Sequence, residues 1–134
     1  MPKKLEHIGI AVSNLDESEK LFEKLLGTTS YKREEVLSEG VITSFFKIGD
    51  IKIELLAATK VDSPIAKFIE KKGEGIHHLA FESENITTEL SEMNQNGFAL
   101  INDSPKNGAD NKKIAFLHPK STNSVLVELC QEKS

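Results

Sequence analysis

The chain has 134 residues, 38% of them hydrophobic and 28% charged, with a net charge of −4. This is the composition of one folded domain, or of two small modules sharing a core, and it excludes a disordered chain. No apolar run approaches the roughly 18 residues a membrane span needs, and the lysines are scattered with few aromatics between them, so neither a membrane nor a nucleic acid is expected as partner.

The start, MPKKLEHIGIAV, enters its apolar run at once and has no small-residue cleavage site. A single cysteine, Cys130, suits a reducing compartment, and the expected location is cytoplasmic. LEHIGIAV (5–12) reads as a buried strand. The next segment, NLDESEKLFEKLLG, carries Leu15, Leu21, Phe22, Leu25 and Leu26 at helical spacing, with Asn14 or Asp16 to cap it and Gly27 to end it. From Tyr31 to Leu56 the pattern is strand-like, with Gly49-Asp50 as a hairpin turn between VITSFFKI and IKIELLA. VDSPIAKFIEKKGEG follows, where Ser63-Pro64 can open a short helix with Ile65, Phe68 and Ile69 on its apolar side. The pattern then recurs. IHHLAFES is a strand, NITTELSEMNQNG a helix, FALI a short strand and DSPKNGADN a polar loop, and KKIAFLH and SVLVELC close as a hairpin.

This recurrence is an internal repeat. SNLDESEKLFEKLLG (13–27) matches SENITTELSEMNQNG (83–97) in length, EHIGIAV aligns on HHLAF, and IKIELL aligns on VLVELC. A single domain over 1–134 is expected, with repeats at 4–58 and 74–131 and a linker at 59–73. Each half reads as strand, helix and three strands. One such unit leaves an apolar sheet face bare, so two copies must pack together.

Register selects the polar residues of interest. Alternate strand side chains point to opposite faces. His7, Gly9 and Ala11 therefore share one face of the first strand, and His78, Ala80 and Glu82 share one face of its repeat. Small neighbours beside His7 and His78 leave room above the sheet, whereas His77 reads as a flanking polar residue. Glu54 and Glu128 interrupt apolar strands at equivalent places, where an unpartnered buried carboxylate costs several kcal/mol. Taken singly, a strand histidine is usually a satisfied or surface residue, and a strand glutamate usually faces water. Taken together, His7, Glu54, His78 and Glu128 suit a five- or six-coordinate divalent ion such as Co²⁺, Mn²⁺, Fe²⁺, Ni²⁺ or Zn²⁺.

LEHIGIAV, GIHHLAF, FLHPK and VLVEL, with the repeat between them, resemble the vicinal oxygen chelate superfamily. Within it, DSPIAKFIEKKGEGIHHLAFE and NGADNKKIAFLHPKSTNSVLVEL are similar to signatures of the methylmalonyl-CoA epimerase family, across nearly the whole chain. The resemblance implies an α+β fold of two βαβββ modules paired around a curved mixed sheet. It implies interconversion of (R)- and (S)-methylmalonyl-CoA, by removing a proton from the carbon between thioester and carboxylate and returning it on the other face. It also implies a divalent ion, Co²⁺ first with Mn²⁺, Ni²⁺, Zn²⁺ or Mg²⁺ as alternatives, held by His7, Glu54, His78 and Glu128 and stabilising an enolate. Glu128 is then both a metal ligand and one catalytic base, the partner is an acyl-CoA, and a homodimer is expected.

The second base is where the chain departs from the family pattern. The family carries Glu-Gln-Gly-Val or Ser-Gln-Gly-Val before its third strand, and this chain reads LSEGV. Glu39 is the candidate base there, and the same residue also reads as a solvated turn carboxylate. Lys112, Lys113 and Lys120 are candidates to meet the phosphates of CoA, and His118 is given no chemical role. The competing readings are a glyoxalase I-type lyase acting on a glutathione thiohemiacetal, a ring-cleaving dioxygenase using Fe²⁺, and a metal-free small-molecule binding protein. Metal content separates the last from the enzymes, and substrate choice separates the enzymes from each other.

Overall fold

The computed structural model describes residues 1–133. They fall into two compact units, one of His7–His77 and the other of Met1–Glu6 with the chain from His78 onward. β1 (Lys4–Ala11) begins in the second unit and continues into the first.

In the first unit β1 runs parallel to β4 (Ile51–Ala58). β4 pairs antiparallel with β3 (Val41–Ile48), which pairs antiparallel with β2 (Lys32–Val36), so the strand order is β2-β3-β4-β1. Helix α1 (Leu15–Leu26) links β1 to β2, and α2 (Pro64–Lys72) follows β4. The second unit repeats the plan. β5 (Gly75–Glu82) is parallel to β8 (Val127–Glu132), β8 is antiparallel to β7 (Lys112–Leu117), and a two-residue β6 (Lys106–Asn107) edges β7. Helix α3 (Ile86–Gln95) follows β5. No helix among the described residues is long and apolar enough to cross a membrane.

The helices begin where side chains can cap them. The Asn14 carboxamide accepts the Glu17 N–H at 3.0 Å, and the Asn85 carboxamide accepts the Thr88 N–H at 3.1 Å, each bond worth about 1 kcal/mol. Ser63 caps α2 in the same way, with Pro64 at the first helical position. α1 stops at Gly27, whose φ of 68° is a conformation that only glycine adopts without strain. These caps correct the repeat alignment. Asn14 corresponds to Asn85, an offset of 85 − 14 = 71, the same as His7 to His78. The expected match of Ser13 to Ser83 is thus one residue out of phase, because the capping side chain and not the preceding serine starts each helix.

Each helix covers one sheet face. Leu15, Phe22 and Leu26 of α1 pack with Val12, Phe46, Leu55 and Ala57. The expected stripe also contained Leu21 and Leu25, but these are 61% and 69% exposed. They lie one position off the 15–22–26 stripe, and about 100° per residue turns them to solvent. In the second unit Ile86, Leu90, Ala115, Leu117 and Leu129 form the matching core. At the offset of 71, Leu90 and Ala115 stand where the first unit has Glu19 and Ser44. There the core gives way to a polar cluster. Glu19 accepts from Ser44 Oγ at 2.6 Å and from Arg33 Nε at 2.9 Å, and Asp16 accepts from Arg33 at 2.7 Å. α1 is thereby tied to β2 and β3 by charge-assisted bonds where its counterpart uses leucine.

FALI (98–101) does not form the short strand expected of it; only Leu100 makes an isolated bridge, to Leu117. The paired edge lies instead in the expected polar loop, at Lys106–Asn107. Phe98 and Leu100 pack against the α3 core, and the segment's pairing with β7 is confined to that bridge, where the Ile101 N–H donates to Phe116 C=O and the His118 N–H donates to Ala99 C=O.

Candidate metal centre

The face of the β1–β4 sheet opposite α1 carries His7, Gly9 and Ala11. Gly9 lies directly across from Glu54 in the parallel ladder, so His7, two residues earlier on the same face, reaches the same carboxylate. His7 Nδ1 is 3.2 Å from Glu54 Oε2. In the second unit Ala80 lies across from Glu128, again two residues after a histidine, and His78 Nε2 is 3.4 Å from Glu128 Oε1. The two units therefore present one buried imidazole–carboxylate pair each, at the same register. All four residues are 5% exposed. Gly9 and Ala80 keep the floor beneath each pair free of bulk.

A buried carboxylate needs a compensating cation or hydrogen bonds, and the desolvation of such a pair offsets much of its mutual attraction. The donor chemistry points to what else the pairs can hold. Two ligand atoms each about 2.1 Å from one ion, at a right angle, lie about 3.0 Å apart. Separations of 3.2 and 3.4 Å are close to that value. Imidazole nitrogen with carboxylate oxygen also suits borderline divalent ions better than Ca²⁺. The residues present fit such an ion.

The neighbouring histidine is different. His77 faces the opposite way and packs edge-on against Phe68 of α2, with ring centroids 4.9 Å apart. Burial, aided by the Lys72 ammonium, pushes its pKa down to about 4, so the ring is neutral at physiological pH. Glu39 is the last residue of a 3₁₀ turn (Leu37–Glu39) just before β3, half-buried and followed by the left-handed Gly40.

The lysines separate by environment. Lys112 is buried and pairs with Glu132 at 3.6 Å, whereas Lys113 and Lys120 are exposed. His118 Nδ1 accepts the Lys120 N–H at 3.0 Å, so this histidine caps the turn Pro119–Ser121. One pair of residues is missed by reading strands singly. Phe45 lies directly across from Glu54, and Phe116 directly across from Glu128. The signal was present in the repeat, since TSFFKI aligns on IAFLHP at the same offset of 71.

Residues 6–116 match the glyoxalase/bleomycin resistance/dioxygenase superfamily, and the chain belongs to that superfamily. Its fold is accordingly the α+β arrangement of two βαβββ modules around a curved mixed sheet. Relatives within the superfamily are more particular. The mitochondrial methylmalonyl-CoA epimerase of Dictyostelium discoideum is 39% identical over 94% of this chain and 76% of its own. An uncharacterised protein of Bacillus subtilis, YqjC, is 41% identical over 97% of this chain and 93% of its own. Among solved structures, a variant of Streptomyces coelicolor methylmalonyl-CoA epimerase in complex with 2-nitronate-propionyl-CoA superposes with a TM-score of 0.95 at 30% identity, covering 100% of this chain and 97% of that one.

Proposed function

We propose that the chain is a methylmalonyl-CoA epimerase that moves the α-proton of the acyl group from one face to the other. The observation that carries this reading is the imidazole–carboxylate pair repeated at equal register in both units, in a chain whose relatives include named epimerases. The proposed residents of the site are His7, Glu54, His78 and Glu128, together holding one divalent ion, with Co²⁺ as first choice. When bound, that ion supplies Lewis acidity that stabilises the negative charge left on the acyl group as the proton departs.

The protein's own residues handle the proton. Glu128 is a carboxylate in a site largely closed to water, where a base is more effective than in bulk solvent. Its second oxygen is the proposed base toward one face of the α-carbon. Glu39, on the turn before β3, is the proposed acid/base toward the other face. Epimerisation needs both, because a single base returns the proton to the side it came from. The family resemblance further supports a homodimer, and the single buried cysteine supports a reducing, cytoplasmic setting.

The test is α-proton exchange of methylmalonyl-CoA in D₂O followed by NMR, on protein stripped of metal and then given Co²⁺. Exchange that appears only with the ion is the expected result. Absence of exchange in a protein that binds Co²⁺ would redirect the search to other carbonyl substrates. Absence of both exchange and binding would overturn the reading in favour of a binding protein.

A further inference from the structure

The pair His78–Glu128 has a third neighbour that neither the ligand set nor the proton chemistry uses. Phe116 of β7 stands directly across the β7–β8 ladder from Glu128, so the two side chains rise from the same face of the sheet at adjacent positions. Its ring also meets the His78 imidazole edge-on, with centroids 5.8 Å apart and planes at 87°. One phenyl ring therefore borders both the imidazole and the carboxylate. The residues on either side of it in β7, Ala115 and Leu117, point the other way into the α3 core, which holds the strand in register.

We propose that Phe116 is a positioning residue for the metal pair: its ring fixes the plane of the His78 imidazole and keeps water from the His78–Glu128 contact. This inference rests on the metal reading above. The physical basis is that a histidine in a sheet can turn about χ2 over a broad, shallow range, and only contacts on its ring faces and edges select one orientation. An edge-to-face aromatic neighbour supplies such a contact. A ligand held in its bound orientation before the ion arrives loses less freedom when the ion binds, so affinity rises without an added ligand. Groups that orient ligands in this way alter metal affinity although they never touch the ion. Phe45 occupies the equivalent place across from Glu54 and is fully buried, so a phenyl ring opposite the carboxylate recurs in both units.

The experiment is Co²⁺ titration of the metal-free protein, wild type against Phe116→Leu and Phe116→Tyr, read by the visible d–d bands and by competition with a chelator. Leucine keeps apolar bulk and removes the ring; tyrosine restores the ring. The expected result is a Co²⁺ affinity about 3- to 10-fold weaker in the leucine variant with altered d–d bands, and recovery of both in the tyrosine variant. Thermal unfolding of the metal-free proteins reports the packing loss separately. A leucine variant with lowered thermal stability but wild-type Co²⁺ affinity and spectrum would show that Phe116 is core alone, and would overturn the proposal. A tyrosine variant as weak as the leucine one would overturn it too. Failure of the wild type itself to bind Co²⁺ would sink the metal reading, a result distinct from either.

Discussion

Replacing Glu128 by glutamine separates the proposed metal site from the fold. The amide has nearly the same shape as the carboxylate, so the packing among Ala80, Phe116 and His78 is kept. What changes is charge. In the metal-free protein, the substitution removes a carboxylate that is 5% exposed and 3.4 Å from a histidine, a group whose desolvation works against folding. The metal-free variant should therefore be as stable as wild type, within about 1 kcal/mol. With metal the two diverge. An ion at 100 times its Kd stabilises the folded state by about 2.7 kcal/mol. For a chain of this size that is a rise in Tm of roughly 8–13 °C, at about 3–5 °C per kcal/mol. Loss of one anionic ligand and a 100-fold weaker affinity would leave about 0.4 kcal/mol at the same Co²⁺ concentration, a rise of roughly 1–2 °C. Differential scanning calorimetry with and without Co²⁺, on wild type and Glu128→Gln, reads both numbers. α-Proton exchange on the same samples should be abolished in the variant. A variant with the full metal-induced rise, or with wild-type exchange, would refute the role given to Glu128.

Four further variants test other residues. Glu39→Gln should slow exchange of the α-proton from one face of methylmalonyl-CoA more than from the other, as followed by NMR with each epimer; equal, unimpaired exchange would remove Glu39 from the site. Ser124 holds a φ of 68°, so Ser124→Gly should stabilise the protein by about 1 kcal/mol in urea unfolding, whereas Gly40→Ala should destabilise it by more, because its φ is 62° and a Cβ would lie 3.0 Å from Ser63 Cβ. The hydrogen bond from Arg33 holds the Glu19 carboxyl below its ordinary value of 4.5. A depressed folded pKa adds stability that is present above the unfolded value and lost as pH falls through the folded one. Wild type should therefore exceed Glu19→Gln by about 1 kcal/mol at pH 7, and the gap should close below about pH 4.5; a gap constant with pH would show that the ion pair with Arg33 is not its source.

Much of the site was legible because its determinants are local or periodic. Strand alternation alone separated His78 from His77, and the structure places the first beside a carboxylate and the second against Phe68. The same alternation set Glu54 and Glu128 apart from the apolar faces of their strands, and the ladder register brings them to the histidine faces. Asn14, Ser63 and Gly27 act on backbone groups within four residues, so they too were readable.

What the tertiary structure decided were matters of pairing between segments distant in the chain. Periodicity says which face a residue takes but not which residue lies across from it; the repeat aligns Phe45 with Phe116, but that each lies opposite a glutamate emerged only from the register. Glu19 reads as an ordinary exposed helix residue until β2 and β3 bring Arg33 and Ser44 against it. FALI has the residues of a strand, but it meets β7 only at the single bridge of Leu100 to Leu117, and the ladder along the rest of that edge falls to Lys106–Asn107. Sequence determined the two-fold plan, the caps and which strand residues break the apolar pattern, because each depends on neighbours within a strand or a turn. The partners across the ladders and the polar substitute for a leucine core depended on which strands meet, and that is settled only when the whole chain has packed.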